Sequence, residues 1–160
     1  MSSPPPLTPL AAAVLRVGRP ERLLQVACGD GEAALFLARE FPLARVRGVD
    51  ADAEKVAAAG RRVGLDPEGR VAFKRGGPRK IPYPDDNFDL VAAVDARLSP
   101  GEVARVLRPG GHLILAATGG GSLCGARGRL LARRLRSRGF ELVEEERSGE
   151  GGFAVLRLAG

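Results

Sequence analysis

The stretch Leu23-Leu24-Gln25-Val26-Ala27-Cys28-Gly29-Asp30-Gly31, running on into a helical pattern from Glu32 to Phe41, decides the fold. Leu23, Leu24 and Val26 form a short apolar run that reads as a buried strand. The run ends in small residues, with glycines at 29 and 31. In the helix that follows, Ala34, Leu35, Ala38 and Phe41 form an apolar stripe, and Pro42 prevents continuation. Strand, glycine turn and helix together bring a nucleotide-like ligand against bare backbone. Glycine allows positive φ in such a turn and has no Cβ to hold the ligand away. Arg45 to Asp50 reads as the next strand and ends in a carboxylate. Asp50 follows Gly31 at about the 20-residue interval at which a βαβ unit sets an acid against ribose hydroxyls.

Working outward, Asp52 is an N-cap for a helix over Ala53 to Val63, with Gly64 as its stop. Arg70 to Lys74 is a third strand, and Gly76-Gly77-Pro78 a loop at its end. Ile81 to Asn87 is turn-rich. Phe88 to Val94 is almost unbroken apolar sequence, as in a parallel strand covered on both faces. Ser99 to Leu107 reads as a helix opened by a Ser99/Glu102 capping box. Pro109-Gly110-Gly111 is a tight turn into a strand over His112 to Ala117, and His112 at its start is structural or exposed. Thr118 to Ser122 is a glycine loop. A helix over Arg127 to Arg138 turns Leu130, Leu131 and Leu135 inward and stops at Gly139. Phe140 to Glu146 and Phe153 to Leu158 alternate like two antiparallel strands. Upstream, Leu10, Val14 and Val17 make Thr8 to Val17 weakly helical. Residues 1–20 read as a flexible lead-in with room for a short helix, and residues 21–160 as one domain.

Composition narrows the class. A chain of 160 residues with 44% hydrophobic content is an ordinary globular domain with a core of its own. No apolar run nears the roughly 20 residues of a membrane span. Met1-Ser2-Ser3-Pro4-Pro5-Pro6 lacks the charged and apolar regions of a signal peptide. Cys28 and Cys124 lack metal-ligand spacing and His112 is the one histidine, which argues against zinc or any other metal site. The expectation is a cytoplasmic protein with reduced thiols. The net charge of +6 invites a nucleic-acid partner. The arginines, however, are spread among Ala, Gly, Pro and Leu as a compositional habit, dense only over Arg127 to Arg138.

With the elements in this order, the chain resembles the class I S-adenosylmethionine-dependent methyltransferases, of the small "type 11" kind, over about Leu23 to Leu158. Four segments carry the resemblance: Val26 to Gly31, Gly48-Val49-Asp50, Ile81 to Val91, and Glu102 to Gly111. The resemblance implies an α/β, Rossmann-like three-layer sandwich. Its seven-stranded, mostly parallel sheet would run 3-2-1-4-5-7-6, with strand 7 antiparallel. It also implies the cofactor S-adenosyl-L-methionine, held by Ala27, Cys28, Gly29, Asp30, Gly31, Asp50, Ala51, Gly77 and Val94. The glycine turn would cradle the methionine end, Asp50 would accept from both ribose hydroxyls, and Ala51 and Gly77 would flank the adenine.

The departures from the family pattern bear on function. Gln25 stands where the family often has an acid, Ala27 replaces the first motif glycine (a mild change if φ stays negative), and Gly77 replaces an adenine-binding acid. Only Asp95-Ala96-Arg97-Leu98 lies between the fourth strand and the next helix, where the family usually carries a lid segment. Asp95 is the weak candidate for a general base, with a turn acid as the alternative. The readings that remain are a small methyltransferase with an unidentified acceptor, a methyltransferase-like interaction module without cofactor, and an RNA-related protein using the basic helix. An open cleft bordered by Ala27, Asp50, Gly77 and Asp95 is expected. It would be covered by a protein partner, a second copy of the chain, a large acceptor, or residues 1–20 folded back with Leu10, Val14 and Val17 facing it.

Overall fold

A computed structural model describes residues 8–118, 125–148 and 151–160; Cys124 and most of the two late glycine loops lie outside the described residues. The chain runs α1 (Thr8–Val14), β1 (Arg22–Val26), α2 (Glu32–Glu40), β2 (Arg45–Asp50), α3 (Ala53–Val63), β3 (Val71–Arg75), β4 (Phe88–Val94), α4 (Pro100–Val106), β5 (Leu107–Ala117), α5 (Gly125–Ser137), β6 (Phe140–Ser148), β7 (Gly151–Leu158). One seven-stranded sheet has the order β3-β2-β1-β4-β5-β7-β6, the order the family resemblance implied. Neighbours pair in parallel except at β7, which is antiparallel to both β5 and β6. The chain winds outward from β1 to β3, then crosses back to β4 on the other side of β1. That reversal opens a crevice at the carboxyl ends of the central strands, where open α/β sheets bind ligands.

Each face of the sheet carries its own core. Leu24, Val26, Val91 and Ala93 meet Val103 and Val106 of α4 and Leu135 of α5 on one face. Leu23, Val46, Leu90 and Ala92 meet Ala34 and Leu37 of α2 on the other, together with Leu10, Ala13 and Val14 of α1. The segment read as a flexible lead-in therefore contains a packed helix. Leu10 and Ala13 are wholly buried, and α1 contacts β5 and β7 rather than lying over the crevice. Among the described residues no helix is long and apolar enough to cross a membrane.

Several local expectations change. Only Leu135 is buried on α5, while Leu130 is 46% exposed. Leu131 and Leu135 are one turn apart and share a face, which leaves Leu130 about 100° round the helix. The Pro109-Gly110-Gly111 turn lies inside β5 rather than ahead of it. Phe88 pairs with Leu107 and Leu90 with His112, so residues 108–111 form a bulge with Gly110 at φ 83°. The apolar Leu107 keeps its place in the ladder, and the glycines absorb the excess chain. Arg70 lies just before β3, and its guanidinium donates to the carbonyls of Ala38, Phe41 and Ala44, closing the C-terminal end of α2.

The turn-rich segment before β4 is held by one arginine. Arg105 of α4 grips both Glu102 oxygens (2.7 and 3.0 Å) and also donates to Asp85 and to the carbonyls of Ile81 and Tyr83. Glu102 in turn accepts from the Ile81 N–H at 2.8 Å. Only half of the expected capping box forms: Ser99 Oγ accepts from the Glu102 N–H, but the Glu102 carboxylate is spent on Arg105 and Ile81.

Candidate functional site

The carboxyl ends of β1, β2 and β3 meet in a cleft of about 130 Å³. β1 stops at Val26, and the chain turns through Ala27 at φ 51°, Gly29 at φ 54° and Gly31 at φ 89° into α2. Ala27 thus lies in the left-handed region, so the condition of negative φ under which the change from glycine would be mild is not met. The Cys28 N–H donates to the Val49 carbonyl, which ties the turn to β2. Close packing beneath the turn depends on Gly48: a Cβ there would sit 2.5 Å from the Phe73 ring.

Asp50 closes this frame. Its Oδ2 accepts the Gly29 N–H at 2.9 Å and its Oδ1 accepts the Asp52 N–H at 2.9 Å. The carboxylate is fixed at the cleft wall by one bond to each oxygen, and each oxygen keeps a lone pair for another donor. Asp52 also caps α3 through the Glu54 N–H, as expected from sequence.

Of the residues assigned to the cofactor, Ala27, Asp50, Ala51 and Gly77 line the cleft together. Cys28 lies under the turn, 4% exposed; burial, with Asp50 nearby, pushes its thiol up to about 11, so it is a neutral packing group. Asp30 faces away, in an ion pair of 2.6 Å with Arg62 of α3, and Gly31 begins α2. Val94 is half-buried and pairs with Ala116 at the end of β4. Gln25 is 2% exposed, and its Oε1 has no hydrogen-bond partner among the described residues.

Asp95 does not border the cleft. Its carboxylate accepts both the backbone N–H and the hydroxyl of Thr118, pinning the end of β4 to the end of β5. This is the turn-acid arrangement, and among the described residues Asp50 is the only carboxylate on the cleft wall. Arg97 lines the cleft instead, a residue the sequence reading passed over. The signal for it was the shortness of the segment after β4: with no lid helix there, the chain itself turns over the crevice. Nearby, Arg75 donates to the Ala51 carbonyl at 3.1 Å, so the rim beside Ala51 is basic. His112 lies towards the other end of β5, where burial, and then Arg157, lower its pKa.

A family profile described as a methyltransferase domain matches residues 23–111, the span from β1 to the β5 bulge that builds this cleft. The chain belongs to the class I S-adenosylmethionine-dependent methyltransferase family. The fatty-acid O-methyltransferase of Mycolicibacterium smegmatis is 38% identical over 101 residues, covering 59% of this chain and 36% of that protein. The 27-O-demethylrifamycin SV methyltransferase of Amycolatopsis mediterranei is 35% identical over 117 residues, covering 68% of this chain and 43% of that protein. The aligned segment thus spans less than half the length of these curated relatives. Among solved structures, the [4+2]-cyclase SpnF superposes with a TM-score of 0.73 at 25% identity, over 96% of this chain and 80% of that one. A complex between the Haloferax volcanii Trm112 methyltransferase activator and a methyltransferase matches with a TM-score of 0.79 at 18% identity, over 96% of this chain and 90% of that one. The methyltransferase family implies S-adenosylmethionine as cofactor, and the wall at Asp50 fits its ribose: a diol brings two donors, and the fixed carboxylate has a free lone pair on each oxygen.

Proposed function

We propose that this chain binds S-adenosyl-L-methionine in the cleft and methylates a small acceptor that arrives already deprotonated. The observation that carries the cofactor reading is the Asp50 carboxylate, held by Gly29 and Asp52 on the wall of a cleft that small residues leave open. The cofactor, when bound, supplies an electrophilic methyl group. Asp50 orients the ribose, the Ala27–Gly31 turn admits the methionine end, and Ala51 and Gly77 leave flat space for the adenine. The chain's contribution to rate is then mainly positional.

The acceptor class follows from what the site lacks. Asp95 is committed to Thr118, Cys28 is a neutral thiol, and His112 lies away from the cleft, so among the described residues no free base stands ready to remove a proton. Arg97 at the cleft wall supports an acceptor bearing negative charge, such as a carboxylate or phenolate. The name of the Mycolicibacterium relative, a fatty-acid O-methyltransferase, agrees with that chemistry. The four residues Asp95 to Leu98 make no lid, so a partner, a second copy or the acceptor itself covers the opening; the activator complex of the Haloferax neighbour offers one such arrangement. A second reading, an interaction module without cofactor, draws support from Gln25 and Gly77 in place of carboxylates and from the basic rim.

Calorimetric titration with S-adenosylhomocysteine separates the two. We expect saturable binding by the intact chain and, for Asp50→Asn, a loss of affinity of about tenfold or more with the cooperative unfolding transition retained. Absence of binding to the unsubstituted chain, or an Asp50→Asn affinity within threefold of it, overturns the cofactor reading.

A further inference from the structure

The strands that place Asp50 at their carboxyl ends carry arginines at their other ends. Arg22 opens β1, Arg45 opens β2, and Arg47 follows two residues on. Arg22 and Arg45 are direct partners across the β1–β2 pair. Arg45 and Arg47 share a sheet face, because side chains alternate along a strand. With Asn87 and Phe88 the three arginines line a cavity of about 260 Å³.

Nothing in the fold accounts for this gathering of charge. Like charges directly opposite on neighbouring strands are destabilising. Arg22 donates to Asn87 Oδ1, and Arg47 to the carbonyls of Val46 and Arg70; neither meets a carboxylate. Arg45 has no side-chain partner among the described residues. The nearest strand acid, Asp89, spends its two oxygens on the backbone N–H groups of Glu21 and Arg22. An arginine-rich composition explains the number of arginines in the chain but not three of them around one concavity with no acid on its wall.

We propose that this cavity binds the phosphate group of a small molecule, at a site separate from the cleft at the opposite ends of the same strands. Guanidinium groups present paired donors whose geometry matches phosphate oxygens. Asn87 has its Oδ1 taken by Arg22 and keeps its amide donors for the same ligand. A bound dianion offsets the repulsion between Arg22 and Arg45 at the amino ends of β1 and β2. The concavity suits a compact ligand rather than the extended backbone of a nucleic acid.

The test uses the full chain, titrated with inorganic phosphate, with phenyl phosphate and with sodium chloride at matched ionic strength and neutral pH. It is read by calorimetry and thermal unfolding. Both phosphates should bind saturably and raise Tm while chloride does not; binding of phenyl phosphate but not of inorganic phosphate would still support a phosphomonoester site. The Arg45→Gln/Arg47→Gln double variant should bind about tenfold more weakly or worse, the scale of a lost charge-assisted hydrogen bond. Arg45→Gln alone, at an exposed position, should be as stable as the parent or more so in low-salt buffer without phosphate, and should also lose phosphate affinity. It decides the matter should the double variant fail to fold. Equal effects of phosphate and chloride, or phosphate binding indifferent to Arg45→Gln, overturn the proposal. Tighter, salt-steep binding of a single-stranded RNA oligomer lost in the same variants also overturns it, in favour of a nucleic-acid surface.

Discussion

Ala27 and Asp50 show how single residues set this site. Ala27 holds φ 51° where the family pattern has glycine, and an L-residue in the left-handed region costs about 1–2 kcal/mol. The cost persists because Cys28 is tied to Val49 and Gly29 to Asp50, so the turn cannot relax by itself. Ala27→Gly should therefore stabilise the chain by about 0.5–1 kcal/mol, since part of the relief is returned as extra freedom of the unfolded chain. A urea midpoint that shifts downward in that variant would show that the Ala27 Cβ contributes packing worth more than its strain. Asp95 shares the left-handed conformation, at φ 50°, but its side chain repays the backbone directly through Thr118. The two acids nearest the crevice thus differ by partner. Asp50 is fixed at the cleft wall with acceptor capacity to spare, and Asp95 is consumed in joining two strands.

Helix α4 and the segment before β4 behave as one element because Arg105 and Glu102 join them. Removing Arg105 would take the side-chain donor from the Tyr83 carbonyl and leave the Ile81 carbonyl and the Glu102 carboxylate with backbone N–H donors in its place. Lysine cannot replace it, since an ammonium has no planar fork with which to span both Glu102 oxygens. Arg105→Lys should lower stability by about 1–3 kcal/mol. The same bonds predict a pH dependence. The hydrogen bond from Arg105 holds the Glu102 carboxyl below its ordinary value of 4.5, with further lowering by the Ile81 N–H. A depressed carboxyl contributes stability that is present above the unfolded-state value and is lost as pH falls through the folded one. Glu102→Gln should therefore flatten the loss of stability below pH 4.5, measured by denaturant unfolding across that range.

At the scale of the whole molecule, elements far apart in sequence meet. Helix α1 packs against β7, and Leu10, wholly buried, lies in the same cluster as Phe153 and Val155. Leu10→Ala should cost about 2–5 kcal/mol, the range for a buried leucine, and should lower the unfolding midpoint of the entire chain in one transition. A variant that unfolds at the parent's midpoint would mean that α1 is dispensable for the core. The likeness of this chain to the [4+2]-cyclase SpnF is a likeness of fold, and one fold hosts unrelated chemistries.

The sequence by itself determined the strands and the glycine turn, because both rest on local signals, while the sheet order came with the family resemblance. Apolar runs of strand length, the glycines at 29 and 31 and the carboxylate ending β2 can be read without knowing any neighbour. The family segments then supplied the positions of Asp50, Ala51 and Gly77 around the cleft. What only the tertiary structure decided were properties that belong to contacts between distant residues. The left-handed φ of Ala27 is imposed by bonds between β1's turn and β2. The commitment of Asp95 depends on Thr118, a partner 23 residues on, just past the end of β5. The burial of α1 depends on β5 and β7, which a weak apolar stripe near a proline-rich start does not reveal. The arginines at the amino ends of β1 and β2 became one cavity only when strand register set Arg22 beside Arg45. Local pattern fixes elements through backbone preference and periodicity, whereas side-chain partners are chosen by register and packing, which exist only once the chain has folded.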